Sequence, residues 1–378
     1  MPPLIRDGRR VLKSIVALLA VVSFGCLAAP PKPLPALNID IKQTSVSGIS
    51  SGGFMSVQFQ IAHSAIVRGA GIVAAGPYNC AQNNVVTATT KCTCTGEPLL
   101  SCEVTSSSAE VPALVASTKR LFDARLIDDP ANVAGQRAVT IAGRKDPLVP
   151  TPIAGQLTDY YAALGLPPQN LSAVTLDNAG HTMPTPAFGN DCAVTDSPFM
   201  GKCGFDSAKA ILGWIYGPLQ PPGSGKSKGR YSRFDQKPFI PKDGPYHYLW
   251  GSGLDSSGWV YVPNSCAKGA RCRLHIALHG CKQGQSYVPL KPPPGGGLYY
   301  GTTFVKNAGY GRWADNNNLV VLFPQAVSIP GRNPYGCWDW WGYTDEHYVD
   351  RKGVQIRALR AMVDRLGSGE AQARTAQP

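Results

Sequence analysis

The segment Ser47-Gly48-Ile49-Ser50-Ser51-Gly52-Gly53-Phe54-Met55 limits what this chain can fold into more than any other. It contains Gly48-x-Ser50-x-Gly52, the pattern of a serine held on a sharp strand-to-helix turn. Upstream, Ala36 to Val46 alternates apolar and polar residues through Leu37, Ile39 and Ile41, the period of a strand. Downstream, Met55, Phe59 and Ala62 follow helical spacing. A turn this tight needs residues without bulk beside the serine, which accounts for the glycines. It also sets the Ser50 hydroxyl at the positive end of a helix, with backbone N–H groups near enough to receive an oxyanion. Such a pentapeptide also arises by chance in a chain with 41 glycines, so its strand and helix context carries the argument.

The rest of the chain repeats the strand–helix alternation. Strands are expected at Gly69 to Ala75, Ala138 to Ala142, Leu171 to Leu176, Trp259 to Val262, Leu274 to Leu278 and Leu319 to Phe323. Helices are expected at Val111 to Leu126, Ile153 to Leu164, Ala208 to Tyr216 and Val354 to Leu366. That pattern predicts an α/β fold with a mostly parallel sheet covered by helices on both faces. With 378 residues and 43% hydrophobic content, the chain can bury a large core. Between Gly217 and Gly244 the sequence is rich in Pro, Gly and Lys without clear period, and a connector inside a single domain spanning 30–366 is expected there. Residues 367–378 read as a disordered tail.

Three sequence features point to export. Arg6, Arg9, Arg10 and Lys13 precede an apolar run from Ile15 to Leu27, and small residues follow at Ala28 and Ala29. This is the pattern of a cleaved secretory signal over residues 1–29; a lipoprotein reading through Cys26 is disfavoured by Ser23. Ten cysteines remain after the leader, an even set that suggests disulfides. Cys192 with Cys203 and Cys266 with Cys272 are close in sequence, and the group from Cys80 to Cys102 is expected to pair within itself. No metal site is expected, since Cys92-x-Cys94 has no partner pair at zinc spacing. No later segment is long and apolar enough to cross a membrane, so no stable membrane insertion is expected. Of the formal net charge of +12, the leader's four basic residues and Asp7 account for +3, leaving +9. The cluster of Lys and Arg between Lys226 and Lys242 lacks any nucleic-acid motif and reads as solvated linker, so no nucleic-acid partner is expected.

A serine hydroxyl becomes a useful nucleophile when a base removes its proton and a carboxylate orients that base. In α/β-hydrolases the three residues come in the order Ser, acid, His at strand ends. Ser50, Asp146 and His181 fit that order. Asp146 follows the strand at Ala138 to Ala142, and His181 follows the one at Leu171 to Leu176. Asp177 is a rival acid, too near His181 in sequence to reach it easily. Among the other histidines, His63 falls on the elbow helix, His275 within a strand and His279 in a loop beside the site. The oxyanion donors expected are the N–H groups of Ser51 and of Cys281, the latter in His279-Gly280-Cys281.

Three segments together carry a specific resemblance: Gly48-Ile49-Ser50-Ser51-Gly52-Gly53-Phe54-Met55, Leu278-His279-Gly280-Cys281-Lys282-Gln283 and Cys337-Trp338-Asp339-Trp340-Trp341-Gly342. From about Asp40 to Leu366 the chain resembles the poly(3-hydroxybutyrate) depolymerase family of serine esterases. Since the elbow precedes the His-Gly-Cys block, it is similar to the family's circularly permuted, single-domain branch. The resemblance implies an α/β-hydrolase fold, Ser50 as nucleophile with Asp146 and His181, Ser51 and Cys281 as oxyanion donors, and a Cys281–Cys337 disulfide. It further implies that Trp338, Trp340 and Trp341 line a groove for a polyester or oligoester substrate; ordinary core packing is the alternative for these rings. No cofactor is needed for this chemistry, and a monomer is expected. Two rivals stand beside this reading, another secreted esterase of the feruloyl or acetylxylan type and a non-catalytic polymer-binding protein.

Overall fold

Among the described residues, eight strands form one central sheet. In chain order they are β1 (Ile39–Ile49), β2 (Val67–Val73), β3 (Arg137–Gly143), β4 (Leu171–Leu176), β5 (Arg230–Asp235), β6 (Ser257–Val262), β7 (Cys272–Leu278) and β8 (Leu319–Phe323). They lie side by side as β4-β3-β2-β1-β7-β8-β6-β5. All pairs are parallel except those that β6 makes with β8 and β5. The structure, a computed structural model, describes residues 30–223, 229–243 and 251–369. The expected leader and residues 370–378 lie outside the described residues.

Period-two alternation sends each strand's side chains to opposite faces, and each face has its own core. From β7 and β8, Leu274, Ile276, Leu278, Val320 and Leu322 point to one face. There they meet helix α1 (Ser51–Ala62) and the Ile356, Leu359, Met362, Val363 and Leu366 stripe of the C-terminal helix. Ala277, Val321 and Phe323 point to the other, against Ile211, Leu212 and Ile215 of the helix Ser207–Tyr216. Elements predicted from periodicity appear within a few residues of their expected limits. For instance, Leu171 to Leu176 matches its strand, and Val354 to Leu366 matches the helix Val354–Gly367.

Two elements depart from expectation. The Gly217 to Gly244 stretch is not connector throughout, because Arg230–Asp235 pairs antiparallel with β6. Its Arg-Tyr-Ser-Arg-Phe-Asp sequence does alternate, but only Phe234 is fully buried, as an edge strand allows. A second small sheet, Met183–Thr185 with Met200–Lys202 and Asn190–Asp191, was not predicted. Strands of two or three residues leave no periodic trace.

A buried polar chain crosses the second face. Ser45 and Ser47 of β1 hold the two ring nitrogens of His275 on β7 at 2.6 and 2.8 Å. Tyr216 donates to Ser45 at 2.8 Å, and the Tyr310 hydroxyl lies 2.5 Å from Ser47. The network fixes β1 against β7 with Ser45 opposite His275 and Gly48 opposite Leu278, because a slip by one residue would strand these groups without partners.

Three histidines are kept neutral by burial. His63 and His275 are each lowered to about 3 and His279 to about 4. Below the unfolded value near 6.5 the unfolded chain binds protons that the folded chain refuses. Their contribution to stability is therefore fully present above pH 6.5 and is lost as pH falls toward 4. Each group loses about 1.4 kcal/mol per pH unit across that window. Thermal melts at pH 7, 6, 5 and 4 should show a steady fall in Tm, with a smaller slope in His275→Gln. A Tm constant over that range would contradict the assignment.

Candidate active site

The turn after β1 holds Ser50 in a conformation that non-glycine residues seldom adopt, with φ of 57° and ψ of −124°. Backbone bonds on both sides hold it: its N–H donates to Val73 O at 2.9 Å, and its carbonyl accepts from Phe54 N at 3.0 Å. The flanking glycines exist because the turn lies directly on the end of β7. A Cβ on Gly48 would meet Gly52 O at 2.3 Å and Leu278 O at 2.8 Å. One on Gly52 would meet His279 O at 2.3 Å and Leu278 O at 2.5 Å.

Asp146 and His181 come from the ends of β3 and β4 and meet at 2.8 Å, Oδ2 to Nδ1. The Asp146 carboxylate is buried, and its Oδ1 accepts from the Leu148 and Val149 N–H groups at 2.8 Å each. With both oxygens engaged, Asp146 is fixed as an acceptor, so His181 Nδ1 carries its proton and Nε2 is left with its lone pair. Thr195 Oγ1 accepts from the His181 N–H at 2.8 Å, and the Phe199 ring stands edge-on to the imidazole with centroids 6.5 Å apart. Asp177, the rival acid, has a side chain 79% exposed and pairs with Arg144 instead.

The His279-Gly280-Cys281 loop leaves β7 beside the turn, where a Cβ on Gly280 would lie 3.3 Å from that of Ser50. His279 braces the loop. Its Nε2 accepts from Ala326 N at 3.1 Å, which leaves Nδ1 to donate to Gly280 O at 2.7 Å. Gln283 closes it, accepting from Gly280 N at 2.7 Å and donating to Pro198 O and Phe199 O at 3.1 Å each. That amide therefore ties the His-Gly-Cys loop to the segment packed on His181. Its role was not assigned from sequence, although it stands within the Leu278 to Gln283 motif.

Five disulfides are formed among the described residues: Cys80–Cys92, Cys94–Cys102, Cys192–Cys203, Cys266–Cys272 and Cys281–Cys337. The last joins the His-Gly-Cys loop to the tryptophan segment across 56 residues. Opening a loop of that length costs about 4 kcal/mol in the chain-entropy account. The Cys281→Ser, Cys337→Ser pair of changes should lower stability by an amount of that order. It should also lower kcat for ester hydrolysis by roughly tenfold or more, because one oxyanion donor is worth about 10²–10³. Unchanged kcat in a destabilised variant would show that the bridge only staples the fold.

Ser50, His181, Cys281, Trp340 and Trp341 line one cleft of about 730 Å³. Trp340 stacks on Phe54 at 4.2 Å, and Trp341 meets it edge-on at 5.7 Å. Trp338 departs from expectation. It is fully buried behind the turn, 5.6 Å from the His279 ring, and its backbone N–H donates to Ser51 Oγ at 3.3 Å. Within Trp338-Asp339-Trp340-Trp341 the turn around Asp339 decides which ring faces the cleft. That carboxylate accepts from Gly342 N, Tyr343 N and Thr344 N, and burial pushes it up to about 6. The part of the lining contributed by Val85, Thr89 and the segment from Cys94 to Pro98 was not foreseen.

No family model matches the chain. Curated relatives do. It is 37% identical over 342 residues to a poly(3-hydroxybutyrate) depolymerase from Delftia acidovorans, and 34% identical over 366 residues to a polyhydroxybutyrate depolymerase from Talaromyces funiculosus. The first alignment covers 89% of this chain but only 62% of the Delftia protein's length; the second covers 92% and 96%. Among solved structures, the crystal structure of PHB depolymerase from Penicillium funiculosum superposes with a TM-score of 0.74 at 32% identity, covering 89% of this chain and 99% of that one. A PHB depolymerase with a serine-to-alanine change, complexed with an R3HB trimer, matches equally well. With this fold, this site and a relative covered over almost its whole length, the chain belongs to the poly(3-hydroxybutyrate) depolymerase family.

Proposed function

We propose that the protein hydrolyses ester bonds of poly(3-hydroxybutyrate) or its oligomers through an acyl-enzyme on Ser50. His181 Nε2 takes the Ser50 proton as Oγ attacks the ester carbonyl. Asp146 holds the ring and stabilises its charged form. The N–H groups of Ser51 and Cys281 receive the developing oxyanion. The leaving alcohol then takes the proton from His181, and water, deprotonated by the same nitrogen, releases the acid and restores the serine. The observation that carries this reading is His181, held by the buried Asp146 at 2.8 Å, lining the same cleft as a strained Ser50. An R3HB trimer bound in a matching structure supports the substrate class. The apolar Phe54, Trp340 and Trp341 surface suits a neutral polyester.

The same reading takes the protein as a monomer and as exported from the cell; the five disulfides speak for the export. Among the described residues, no helix is long and apolar enough to cross a membrane. It also takes the chain as circularly permuted. Leu37 N donates to Leu366 O at 2.8 Å, so the ends of the catalytic body are adjacent, as permutation requires. Turbidity of amorphous poly(3-hydroxybutyrate) granules tests the function. The wild type should clear them and Ser50→Ala should not. If the wild type leaves both granules and soluble oligomers intact while cleaving aryl esters, the substrate assignment falls.

A further inference from the structure

The cleft carries charges that a neutral polyester does not need. Lys282 and Arg332 line the wall that also holds the Cys281–Cys337 bridge. The two are tied together locally, since Lys282 N donates to Tyr335 O at 2.7 Å, three residues beyond Arg332. The Lys282 ammonium sits 4.5 Å over the Tyr335 ring and 5.8 Å from that of Phe199, the ring packed on His181. Arg332 donates to a neutral acceptor, Tyr343 O. Among the described residues, neither cation has a carboxylate within 4.0 Å. Asp196, the carboxylate that feels Lys282, is already held by Lys291 at 2.6 Å. The one acid lining the cleft, Glu97, lies in the segment between Cys94 and Cys102 and pairs with neither cation within 4.0 Å.

We propose that Lys282 and Arg332 form a subsite for the free carboxylate end of a hydroxyalkanoate oligomer. This rests on the ester-hydrolase reading above and names which form of the substrate the site prefers. In such an oligomer the alkoxy oxygen of every ester belongs to the unit nearer the carboxyl end. The carboxylate therefore always lies on the leaving-group side of the bond being cut. A cationic wall beside the oxyanion loop then favours cuts near that end, which release short hydroxy acids, and favours soluble anionic oligomers over capped ones. Cations lying on aromatic rings in a partly apolar cleft keep their charge available to an incoming anion. The net positive charge that remains after the leader, +12 less +3 or +9, draws such anions toward the protein.

The test compares kcat/KM for a 3-hydroxybutyrate trimer as its free acid and with its carboxyl capped as the primary amide. The wild type should prefer the acid by roughly tenfold. The preference should shrink as NaCl is raised from about 0.02 to about 0.5 M, because screening shortens the reach of both charges. In Lys282→Met and in Arg332→Met the acid-to-amide ratio should fall toward one. A wild-type ratio near one, or a ratio unaffected by both changes, overturns the subsite while hydrolysis of either trimer keeps the esterase reading intact. If a variant does not fold, the salt dependence of the wild-type ratio decides alone. If neither trimer is cut, the subsite falls, and granule clearing decides separately whether the hydrolase reading stands.

Discussion

Asp146→Asn is expected to lower kcat for ester hydrolysis by about 10⁴, the size of the loss when a triad carboxylate becomes an amide in a serine protease, while the fold persists. Asp146 Oδ1 accepts two backbone N–H groups, and an asparagine would keep its carbonyl oxygen on them. Its NH₂ would then face His181 Nδ1, where Oδ2 now accepts at 2.8 Å. Two donors cannot share that position, so the ring must accept there and carry its proton on Nε2. A protonated Nε2 cannot take the Ser50 proton. Steady-state kinetics on a soluble oligoester, with circular dichroism to verify the fold, checks this. A loss below tenfold would mean that Asp146 merely packs.

Gly52→Ala should be strongly damaging for so small a change. The added methyl would stand 2.3 Å from His279 O and 2.5 Å from Leu278 O, inside the range that real contacts never reach. Neither carbonyl belongs to a flexible side chain. Leu278 ends, and His279 directly follows, a strand whose register is fixed by parallel pairing and by the Ser45–His275–Ser47 network. Relief therefore means separating the turn from the His-Gly-Cys loop, at a cost of about 3 kcal/mol or more, with loss of the oxyanion geometry. Gly135→Ala, where nothing lies within 4 Å, supplies the control and should change stability little. Denaturant midpoints for the two variants settle the comparison. Equal midpoints would show that the turn has slack.

The parts of the site that could be read from residues alone are those where periodicity ends on chemistry. Apolar alternation through Ile141 and Val174 stops just before Asp146 and His181, so strand ends and functional groups coincide. The two cleft-facing tryptophans and the buried one could not be separated in this way. Their sorting depends on hydrogen bonds that Asp339 makes after the chain has turned, and on Ser51, 287 residues away, receiving Trp338 N. The edge strand Arg230–Asp235 stayed hidden because it is mostly half-exposed and sits in a Pro- and Lys-rich stretch. Gln283 escaped for a related reason. Its partners, Pro198 and Phe199, are brought to it by a small sheet and a disulfide rather than by sequence proximity.

Covalent labelling tests the central claim most directly. The protein is incubated with diethyl p-nitrophenyl phosphate, digested, and its peptides are weighed by mass spectrometry. The account predicts a single diethylphosphoryl adduct on Ser50, formed in step with loss of esterase activity and absent from His181→Ala. An adduct on another serine, or full inactivation with Ser50 unmodified, would contradict it.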